Sequence, residues 1–454
     1  MSLMMSISGV RGVIGESMTP ILAAELGCAF GTYLQSSGKA VIKVVVGRDT
    51  RPSGPMIQRA LVSGLLATGC QVVELEVGST PGIAMMVRRH GATGGVVITA
   101  SHNPVIWNGI KFLTDEGLAP PPEQASQIFE IYHSKAFKLA AVENIHSPIH
   151  DKTTDTTHVE AALRIGYVDQ IASKRFKVVL DSINGAGSVE GKMLLEKLGC
   201  EVVQINGEPT GQFAHTPEPT AENLTGLCEA VRMHKAQIGF AQDPDADRLA
   251  IVDETGHYIG EEYTLALGAK YLFKSHPGPI AANLSTSRMV DDLAATHGKG
   301  CRVVRSAVGE ANVVAAMKAN GCQFGGEGNG GVIDLRVGPV RDSLVGMVLT
   351  LQLLTISGQT VSELVKMIPP YVMIKTKFEC ASDRIARVLE ATRKAYANEQ
   401  INAIDGVRVD FADGWVHVRG SNTEPIIRII GEAKTRERCE AMIADVRKIA
   451  DGVS

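Results

Sequence analysis

The sequence predicts an α/β protein with three related domains, each containing a mixed, mainly parallel sheet, followed by a smaller α+β C-terminal domain. Three observations lead to this prediction. Strand-like and helix-like segments alternate along most of the chain, as in βαβ units that form parallel sheets. At 454 residues the chain is too long for a single hydrophobic core. After Tyr371 the pattern changes to strands joined by a tight Asp-Gly turn, which is typical of antiparallel pairing.

The first domain is expected over residues 1–150. Its predicted elements are strands at 41–47, 71–78 and 96–100 and helices at 55–69 and 82–90. Helices of this length between strands imply right-handed crossovers and therefore a parallel sheet. The polar stretch HDKTTDTTH at 150–158 indicates a surface linker or a domain boundary.

The second and third domains are expected at 151–256 and 257–370, and the fourth at 371–454. The predicted strands are at 176–181, 201–205, 238–243, 249–254, 279–285 and 302–306, and the predicted helices are near 222–235, 261–275, 288–297, 309–319, 384–398 and 435–450. The longest apolar stretch, 344–356, is too short to span a bilayer and contains Gln352, so we expect a buried helix there.

Composition narrows the class of protein. The formal net charge of −4 gives no basic surface of the kind that nucleic-acid-binding proteins have. The first residues, MSLMMSISGVRG, lack the apolar core of a secretory signal. Because the charge balance is not basic and the longest apolar stretch is too short to span a bilayer, we expect neither nucleic acid nor membrane as a partner. The eight cysteines are scattered without a Cys-x-x-Cys pair, which favours a reducing compartment, the cytoplasm.

The segment DPDADR at 243–248 is the most specific local signal. Asp243, Asp245 and Asp247 directly follow an apolar run, and carboxylates this close repel one another unless a cation neutralises them. An EF-hand is excluded because Arg248 stands where that loop needs glycine. Mg²⁺ fits, since it takes few protein carboxylates and completes its shell with phosphate oxygen and water. The alternative is an acidic, solvated turn.

Ser101 follows the buried strand VVITA and precedes His102, Asn103 and Pro104. The carboxyl ends of strands in open α/β sheets are where ligands bind. Ser101 is therefore either a nucleophile, a carrier of a transferable group, or a turn-forming serine.

Two further loops have the composition of ligand-binding segments. In RGSNTEP (419–425), Arg419 and the donors of Ser421, Asn422 and Thr423 could bind a phosphate monoester, or form a polar turn. In GGEGNGG (325–331), Glu327 and Asn329 could together bind vicinal hydroxyls. Neither a dinucleotide fingerprint nor a Walker A loop is present, so nucleotide use is not expected.

Three basic segments complete the candidates. Arg11 lies between glycines in SGVRG, and Lys111 follows Ser101 in NGIKF. In GRDTRPSG (47–54), we expect Arg48 and Arg51 mainly to cap the next helix.

Taken together, the loops TASHNP, DPDADR, GEGNG and RGSNTEP resemble those of the α-D-phosphohexomutase family, in the same order along the chain. The resemblance implies four domains around a central cleft and an isomerase that interconverts hexose 6-phosphate and hexose 1-phosphate. It implies a phosphoserine carrier, Mg²⁺, and hexose 1,6-bisphosphate as intermediate and activator. The expected residues are Arg11, Ser101, His102 and Lys111 for catalysis; Arg248, Glu327, Asn329, Arg419, Ser421, Asn422 and Thr423 for substrate; and Ser101, Asp243, Asp245 and Asp247 for the metal.

One departure affects the proton transfer. Many family members continue the sugar loop with Ser-Gly-His, whereas this chain has Asn329, Gly330 and Gly331. The histidine is absent, so proton transfer is either assisted by solvent or carried by another residue, for which Lys111 and Arg11 are the candidates. The variant loops look most like those of phosphoglucosamine mutases or broad phosphoglucomutase/phosphomannomutases.

Two other classes of function remain open at this stage, a serine hydrolase and a non-catalytic sugar-phosphate-binding protein. Ser101 lacks the Gly-x-Ser-x-Gly elbow of α/β-hydrolases, and an adjacent His102 is poorly placed as a base. The identity of the hexose and the oligomeric state cannot be read from the sequence.

Overall fold

The computed structural model describes residues 3–6, 9–298, 300–421 and 425–453. Within these residues the chain forms four sheets. Three are mixed sheets with parallel pairs at their centres, and the fourth is antiparallel throughout. The predicted fold class is confirmed. No helix in the described part of the chain has the length and apolar character needed to cross a membrane.

The first sheet has seven strands in the order β1-β2-β6-β5-β3-β4-β7. The strands are β1 (Met4–Ser6), β2 (Gly9–Val13), β3 (Lys43–Arg48), β4 (Gln71–Val77), β5 (Gly94–Ile98), β6 (Trp107–Thr114) and β7 (Ile149–His150). The helices are α1 (Pro20–Gln35), α2 (Gly54–Ala67), α3 (Thr80–Arg89) and α4 (Pro122–Ser134). Strands β3, β4, β5 and β7 are parallel, while β6 returns antiparallel beside β5. This antiparallel return brings Lys111, on β6, next to the strand that leads to Ser101.

Helices α1 and α2 pack closely because glycines lie at their contact. A Cβ atom on Gly64 would lie 2.1 Å from the Ala24 carbonyl oxygen, and one on Gly27 would lie 2.3 Å from that of Leu61. Only glycine permits this approach, which buries Phe30 against the sheet.

The second sheet has the order β11-β10-β8-β9, with β11 antiparallel to the rest. Its strands are β8 (Lys177–Asp181), β9 (Glu201–Ile205), β10 (Ile238–Gln242) and β11 (Leu249–Asp253), and its helices are α5 (Thr154–Leu163), α6 (Val168–Ala172), α7 (Ser188–Lys197) and α8 (Thr225–His234). The expectation of a surface linker at 150–158 is wrong for its second half, because α5 begins at Thr154. His158 in that helix is completely buried, since Glu190 and Asp342 bind its two ring nitrogens.

The third sheet has the order β13-β12-β14-β15. Its strands are β12 (Pro279–Asn283), β13 (Arg302–Ser306), β14 (Phe324–Gly326) and β15 (Val332–Asp334), and its helices are α9 (Glu262–Ser275), α10 (Met289–Thr296), α11 (Glu310–Asn320), α12 (Ser343–Ser357) and α13 (Val361–Lys366). The helix α12 is buried from Ser343 through Leu354, which explains its almost uniformly apolar sequence. It packs against α5 and α9, so the second and third sheets share one hydrophobic core.

The fourth sheet is a five-stranded antiparallel sheet in the order β16-β20-β19-β18-β17. Its strands are β16 (Val372–Glu379), β17 (Gln400–Asn402), β18 (Val407–Phe411), β19 (Gly414–Gly420) and β20 (Ile426–Ala433), and its helices are α14 (Ser382–Ala395) and α15 (Arg436–Asp451). It has a separate core around Val409, Val416 and Ile427. Polar contacts join it to the third domain: Ser285 Oγ lies 2.9 Å from His417 Nδ1, and Arg408 donates to the Leu284 carbonyl.

Candidate active site

Ser101 lies in the loop just beyond Ile98, the last residue of β5. Its backbone is left-handed, with φ = 49°, and its N–H donates to Thr99 Oγ1 at 2.9 Å. The residue is only 2% exposed, so its hydroxyl faces protein rather than bulk water. A non-glycine residue in this backbone region is uncommon and is maintained by surrounding contacts.

Arg51 supplies most of those contacts. Its buried guanidinium donates to four loop carbonyls, those of Ser101, Asn103, Pro104 and Trp107, and to the carboxylate of Asp49. The expectation that this segment mainly caps α2 is therefore wrong for Arg51. The cap residue of α2, Ser53, makes no side-chain capping bond. Arginine is required because its five donors in a planar fork can bind several carbonyls at once.

Asp243, Asp245 and Asp247 lie together in the loop between β10 and β11. One oxygen from each lies within 4.8 Å of the others, and all three side chains are buried. Ser101 Oγ lies 3.2 Å from Asp243 Oδ2, so the serine loop of the first domain meets the aspartate loop of the second. The structure thus brings all four predicted metal ligands to one place.

A cation and a hydroxyl of the first domain compensate one of these carboxylates, Asp245. Asp245 Oδ2 accepts from Lys111 Nζ at 2.8 Å and from Thr80 Oγ1 at 2.7 Å. Although burial opposes it, the charge of Lys111 holds the pKa of Asp245 well below its usual range. The pKa of Asp243 is instead raised well above its usual range by burial and by the charges of Asp247 and Asp245.

Three other predicted residues surround the triad. His102 Nδ1 lies 3.4 Å from Ser101 Oγ. Burial and the nearby charges of Arg248 and Arg11 lower the pKa of His102 to about 4, so its ring is neutral at pH 7. Arg248 donates its backbone N–H to Asp243 Oδ1 at 3.1 Å. Burial lowers the pKa of Arg11, although Asp245 and Asp247 act in the opposite sense.

The sugar-loop residues Glu327 and Asn329 are already engaged within the protein. Glu327 Oε1 accepts from Asn283 Nδ2 at 2.8 Å, and its Oε2 accepts from Arg341 at 2.8 Å. Asn329 Oδ1 accepts from the N–H of Gly331 at 3.1 Å. The predicted acid and amide therefore lie in one loop. The backbone N–H of Leu249 donates to the Gly330 carbonyl of this loop at 3.0 Å.

The phosphate-loop prediction lies partly outside the described residues. Asn422 and Thr423 belong to that part. Arg419 is described, and its Nε lies 3.5 Å from Asp405 Oδ2. Asp405 also accepts from the backbone N–H of Val308 at 2.9 Å. Ser421, the next predicted residue, donates its N–H to the Ile426 carbonyl at 3.0 Å.

Comparison with known protein families assigns most of the chain. Four families match in order, described as phosphoglucomutase/phosphomannomutase alpha/beta/alpha domains I, II and III and the C-terminal domain, over residues 4–139, 156–256, 260–371 and 374–449. The chain belongs to the phosphoglucomutase/phosphomannomutase family. As a member of this family it is an isomerase, a phosphohexomutase that interconverts hexose 6-phosphate and hexose 1-phosphate.

Individual relatives of this phosphohexomutase cover almost its full length. It is 41% identical over 438 residues to a phosphoglucomutase/phosphomannomutase of Thermococcus kodakarensis, covering 95% of this chain and 94% of that protein. It is 38% identical over 440 residues to a protein of Methanopyrus kandleri described as a probable phosphoglucosamine mutase, covering 96% and 95%. The crystal structure of a phosphoglucomutase/phosphomannomutase family protein from Burkholderia thailandensis superposes with a TM-score of 0.83 at 27% identity, covering 99% of each chain.

The aspartate triad of the phosphohexomutase fits a hard divalent cation. Oδ1 of Asp245 and Oδ1 of Asp247 are buried and have no hydrogen-bond partner among the described residues. Every donor in the group is an oxygen, the ligand type that such cations prefer. A buried, unpaired carboxylate oxygen is costly, and a bound cation would remove that cost.

Sequence reasoning missed two residues of this site. Arg51 was visible in GRDTRPSG, but its role as a loop anchor depends on carbonyls that come from a different part of the chain. Arg341 contacts Asp247, Glu327 and Glu310. No motif surrounds it, and its partners are distant in sequence, so local pattern offered no signal.

Proposed function

We propose that Ser101 is the phosphoryl carrier of this phosphohexomutase and that Asp243, Asp245 and Asp247 hold Mg²⁺ beside it. The observation that carries the proposal is the 3.2 Å contact between Ser101 Oγ and Asp243 Oδ2, which joins the serine to a buried triad. When bound, Mg²⁺ would neutralise the carboxylates and withdraw charge from the phosphoryl group during transfer.

The reaction consists of two phosphoryl transfers. In the first, the phosphorus–oxygen bond to phosphorylated Ser101 breaks as a bond to the free sugar hydroxyl forms. That hydroxyl loses its proton, and the released Ser101 oxygen gains one. The product is a hexose 1,6-bisphosphate. After it turns end over end, its other phosphoryl group returns to Ser101 and leaves the isomerised monophosphate.

The surrounding cations have separate tasks in this scheme. Arg11 and Arg248 stabilise the charge that builds on the transferring group, since a guanidinium does not give up its proton. Lys111, bound to Asp245 at 2.8 Å, is the candidate for proton transfer. His102, 3.4 Å from Ser101 Oγ, orients the serine hydroxyl.

Two other loops bind the sugar phosphate. Arg419, with Ser421, Asn422 and Thr423, binds the phosphate that does not react, and Glu327 and Asn329 bind hydroxyls. We propose glucose, mannose and glucosamine phosphates as the substrate class, because the relatives at 41% and 38% identity carry those activities in their names. An assay with the three hexose 1-phosphates, primed with a hexose 1,6-bisphosphate, distinguishes them.

We place the enzyme in the cytoplasm. All eight cysteines are free, which suits a reducing compartment.

Intact mass spectrometry tests the carrier. The isolated protein should carry an adduct of about 80 Da, the mass of one phosphoryl group. Ser101→Ala should lose both the adduct and turnover, while Ser63→Ala, an exposed serine on α2, should retain both. Near wild-type turnover in Ser101→Ala would end the proposal.

Replacement of a ligand tests the metal. Asp245→Asn removes a charge but not the volume of the side chain, and should raise the Mg²⁺ concentration needed for half-maximal activity by about 10-fold or more. An unchanged metal response would show that this loop is not the metal site.

The serine hydrolase alternative has no support in this site. Among the described residues no carboxylate binds the ring of His102, so the orienting member of a triad is missing.

A further inference from the structure

Arg341 occupies the space into which a side chain at position 331 would project. It lies between β15 and α12, and its aliphatic stem passes over Gly331. A Cβ atom on Gly331 would lie 2.3 Å from Arg341 Cδ and 2.9 Å from its Cγ. Gly331, which stands where many family members have histidine, therefore leaves no empty space, because the side chain of Arg341 occupies it.

The guanidinium of Arg341 joins the metal loop to the sugar loop. One terminal nitrogen donates to Glu327 Oε2 at 2.8 Å, and the other donates to Asp247 Oδ2 at 2.5 Å. Its Nε donates to Glu310 Oε2 at 3.2 Å. A planar fork can bind three carboxylates in fixed directions, whereas an ammonium group on a flexible stem cannot.

The backbone on either side of Arg341 is anchored. Its own N–H donates to Glu310 Oε2 at 2.9 Å. The next residue, Asp342, caps α12 through Leu344 N–H at 2.8 Å and accepts from His158 Nε2 at 2.7 Å. The backbone of Arg341 is thus held by Glu310 and by the cap of α12, neither of which belongs to the predicted transfer site.

We propose that Arg341 is a positioning residue for phosphoryl transfer, which fixes Asp247 relative to Glu327. The proposal rests on the proposed function, since it assigns Asp247 to the metal and Glu327 to the sugar. Arg341 binds Oδ2 of Asp247 and leaves Oδ1 without a hydrogen-bond partner among the described residues. By binding Glu327, it sets the distance between the sugar hydroxyls and the metal. A displacement of about 1 Å between reacting groups costs about 100-fold in rate.

Metal binding without turnover is the first test. Mn²⁺, used as a paramagnetic substitute, is titrated into the full-length protein and followed by electron paramagnetic resonance. Arg341→Lys should raise the Mn²⁺ dissociation constant by about 10-fold or more, the effect expected for a group that orients a metal ligand. The matched control is Arg336→Lys, which alters an arginine of the same segment that pairs with Asp334.

Turnover is the second test. In Arg341→Lys, kcat should fall by about 10- to 100-fold while the melting temperature stays close to that of Arg336→Lys. Mn²⁺ affinity and kcat both within twofold of the wild-type values would overturn the proposal. An equal loss of Mn²⁺ affinity and kcat in Arg336→Lys would also overturn it, since the loss would then follow from any change to the segment between β15 and α12.

Gly331→Ala provides a version of the test in which every charge is kept. The added methyl group would collide with the stem of Arg341 and displace its guanidinium. Gly331→Ala should show the same losses of Mn²⁺ affinity and of kcat as Arg341→Lys. If Arg341→Lys does not fold, the result for Gly331→Ala tests the proposal in its place. Failure of the proposed function is distinguishable: in that case wild-type protein does not bind Mn²⁺ at the triad, or Ser101→Ala stays active.

Discussion

Replacing Arg51 with methionine tests whether one buried guanidinium holds the serine loop in shape. The side chain is completely buried and binds Asp49 Oδ2 at 3.0 Å. It also donates to the carbonyls of Ser101 at 2.5 Å and Asn103 at 2.7 Å, and to those of Pro104 at 2.8 Å and Trp107 at 3.2 Å. Methionine fills most of the same volume and provides none of these donors.

The magnitude follows from what the substitution leaves unpaired. Removing one partner of a buried ion pair costs about 3–5 kcal/mol. Each buried carbonyl left without a donor adds about 1–3 kcal/mol, but loop carbonyls can turn toward solvent and recover much of this. We therefore expect a loss of about 4 kcal/mol in the free energy of unfolding of the first domain. At about 2–4 °C per kcal/mol, the corresponding transition falls by about 8–16 °C.

Differential scanning calorimetry measures the transition, and a coupled mutase assay below both melting temperatures measures kcat. Because the loop positions Ser101, kcat should fall by about 100-fold. The transition temperature and kcat of Arg51→Lys should lie between those of wild type and Arg51→Met, since one ammonium group cannot replace the planar fork of donors. Arg59→Met, at an exposed arginine on α2, is the control. A transition within about 2 °C of wild type in Arg51→Met, with kcat retained, would refute the reasoning.

Two further predictions concern buried titratable groups. Against the effect of burial, Asp342 and Glu190 raise the pKa of His158 well above its usual value. Its ion pairs therefore stabilise the fold fully below about pH 6.5 and less as the pH rises through the raised pKa. The difference in free energy of unfolding between wild type and His158→Gln, measured by urea denaturation, should become smaller as the pH rises. A difference that does not change with pH would contradict this prediction. Burial raises the pKa of Glu262 from 4.5 to about 8. The free energy of unfolding of the wild-type protein should therefore decrease as the pH rises from 4.5 to about 8. Glu262→Gln should remove that decline and be the more stable protein above pH 8, whereas parallel pH profiles would show that Glu262 is ionised throughout.

The sequence located the loops because each belongs to a local pattern. An apolar strand followed at once by polar residues predicts a loop at the carboxyl end of a parallel sheet. The structure places Ser101 beyond β5, Asp243 beyond β10 and Glu327 beyond β14. The buried helix expected at 344–356 was also confirmed, since its uniform apolar composition leaves no exposed face.

The contacts between those loops could not be predicted in the same way. Thr80 and Asp245 are 165 residues apart, Arg341 and Asp247 are 94 apart, and each contact crosses from one domain to another. Such pairs leave no trace in a local pattern, because either partner alone is compatible with an ordinary exposed polar residue.

The error at 150–158 has the same origin. A run of polar residues indicates exposure only when none of them is paired with a residue from elsewhere in the chain. His158 binds Glu190, which is 32 residues away, and Asp342, which is 184 residues away. Two carboxylates on its two nitrogens make burial of a polar side chain possible, and neither partner is near it in sequence.

If Ser101 carries the phosphoryl group as proposed, the charge balance of the triad predicts a further property of the enzyme. Lys111 and Arg341 pair with Asp245 and Asp247, while Asp243 shares its Oδ2 with Ser101 at 3.2 Å. Phosphorylation of Ser101 adds a charge of about −1.5 to −2 at this contact. A cation bound at the triad, as proposed, would relieve the repulsion between the phosphoryl group and these carboxylates. Removal of divalent metal with EDTA should therefore lower the melting temperature of the phosphorylated protein more than that of Ser101→Ala, and equal shifts would show that phosphate and metal do not share this site.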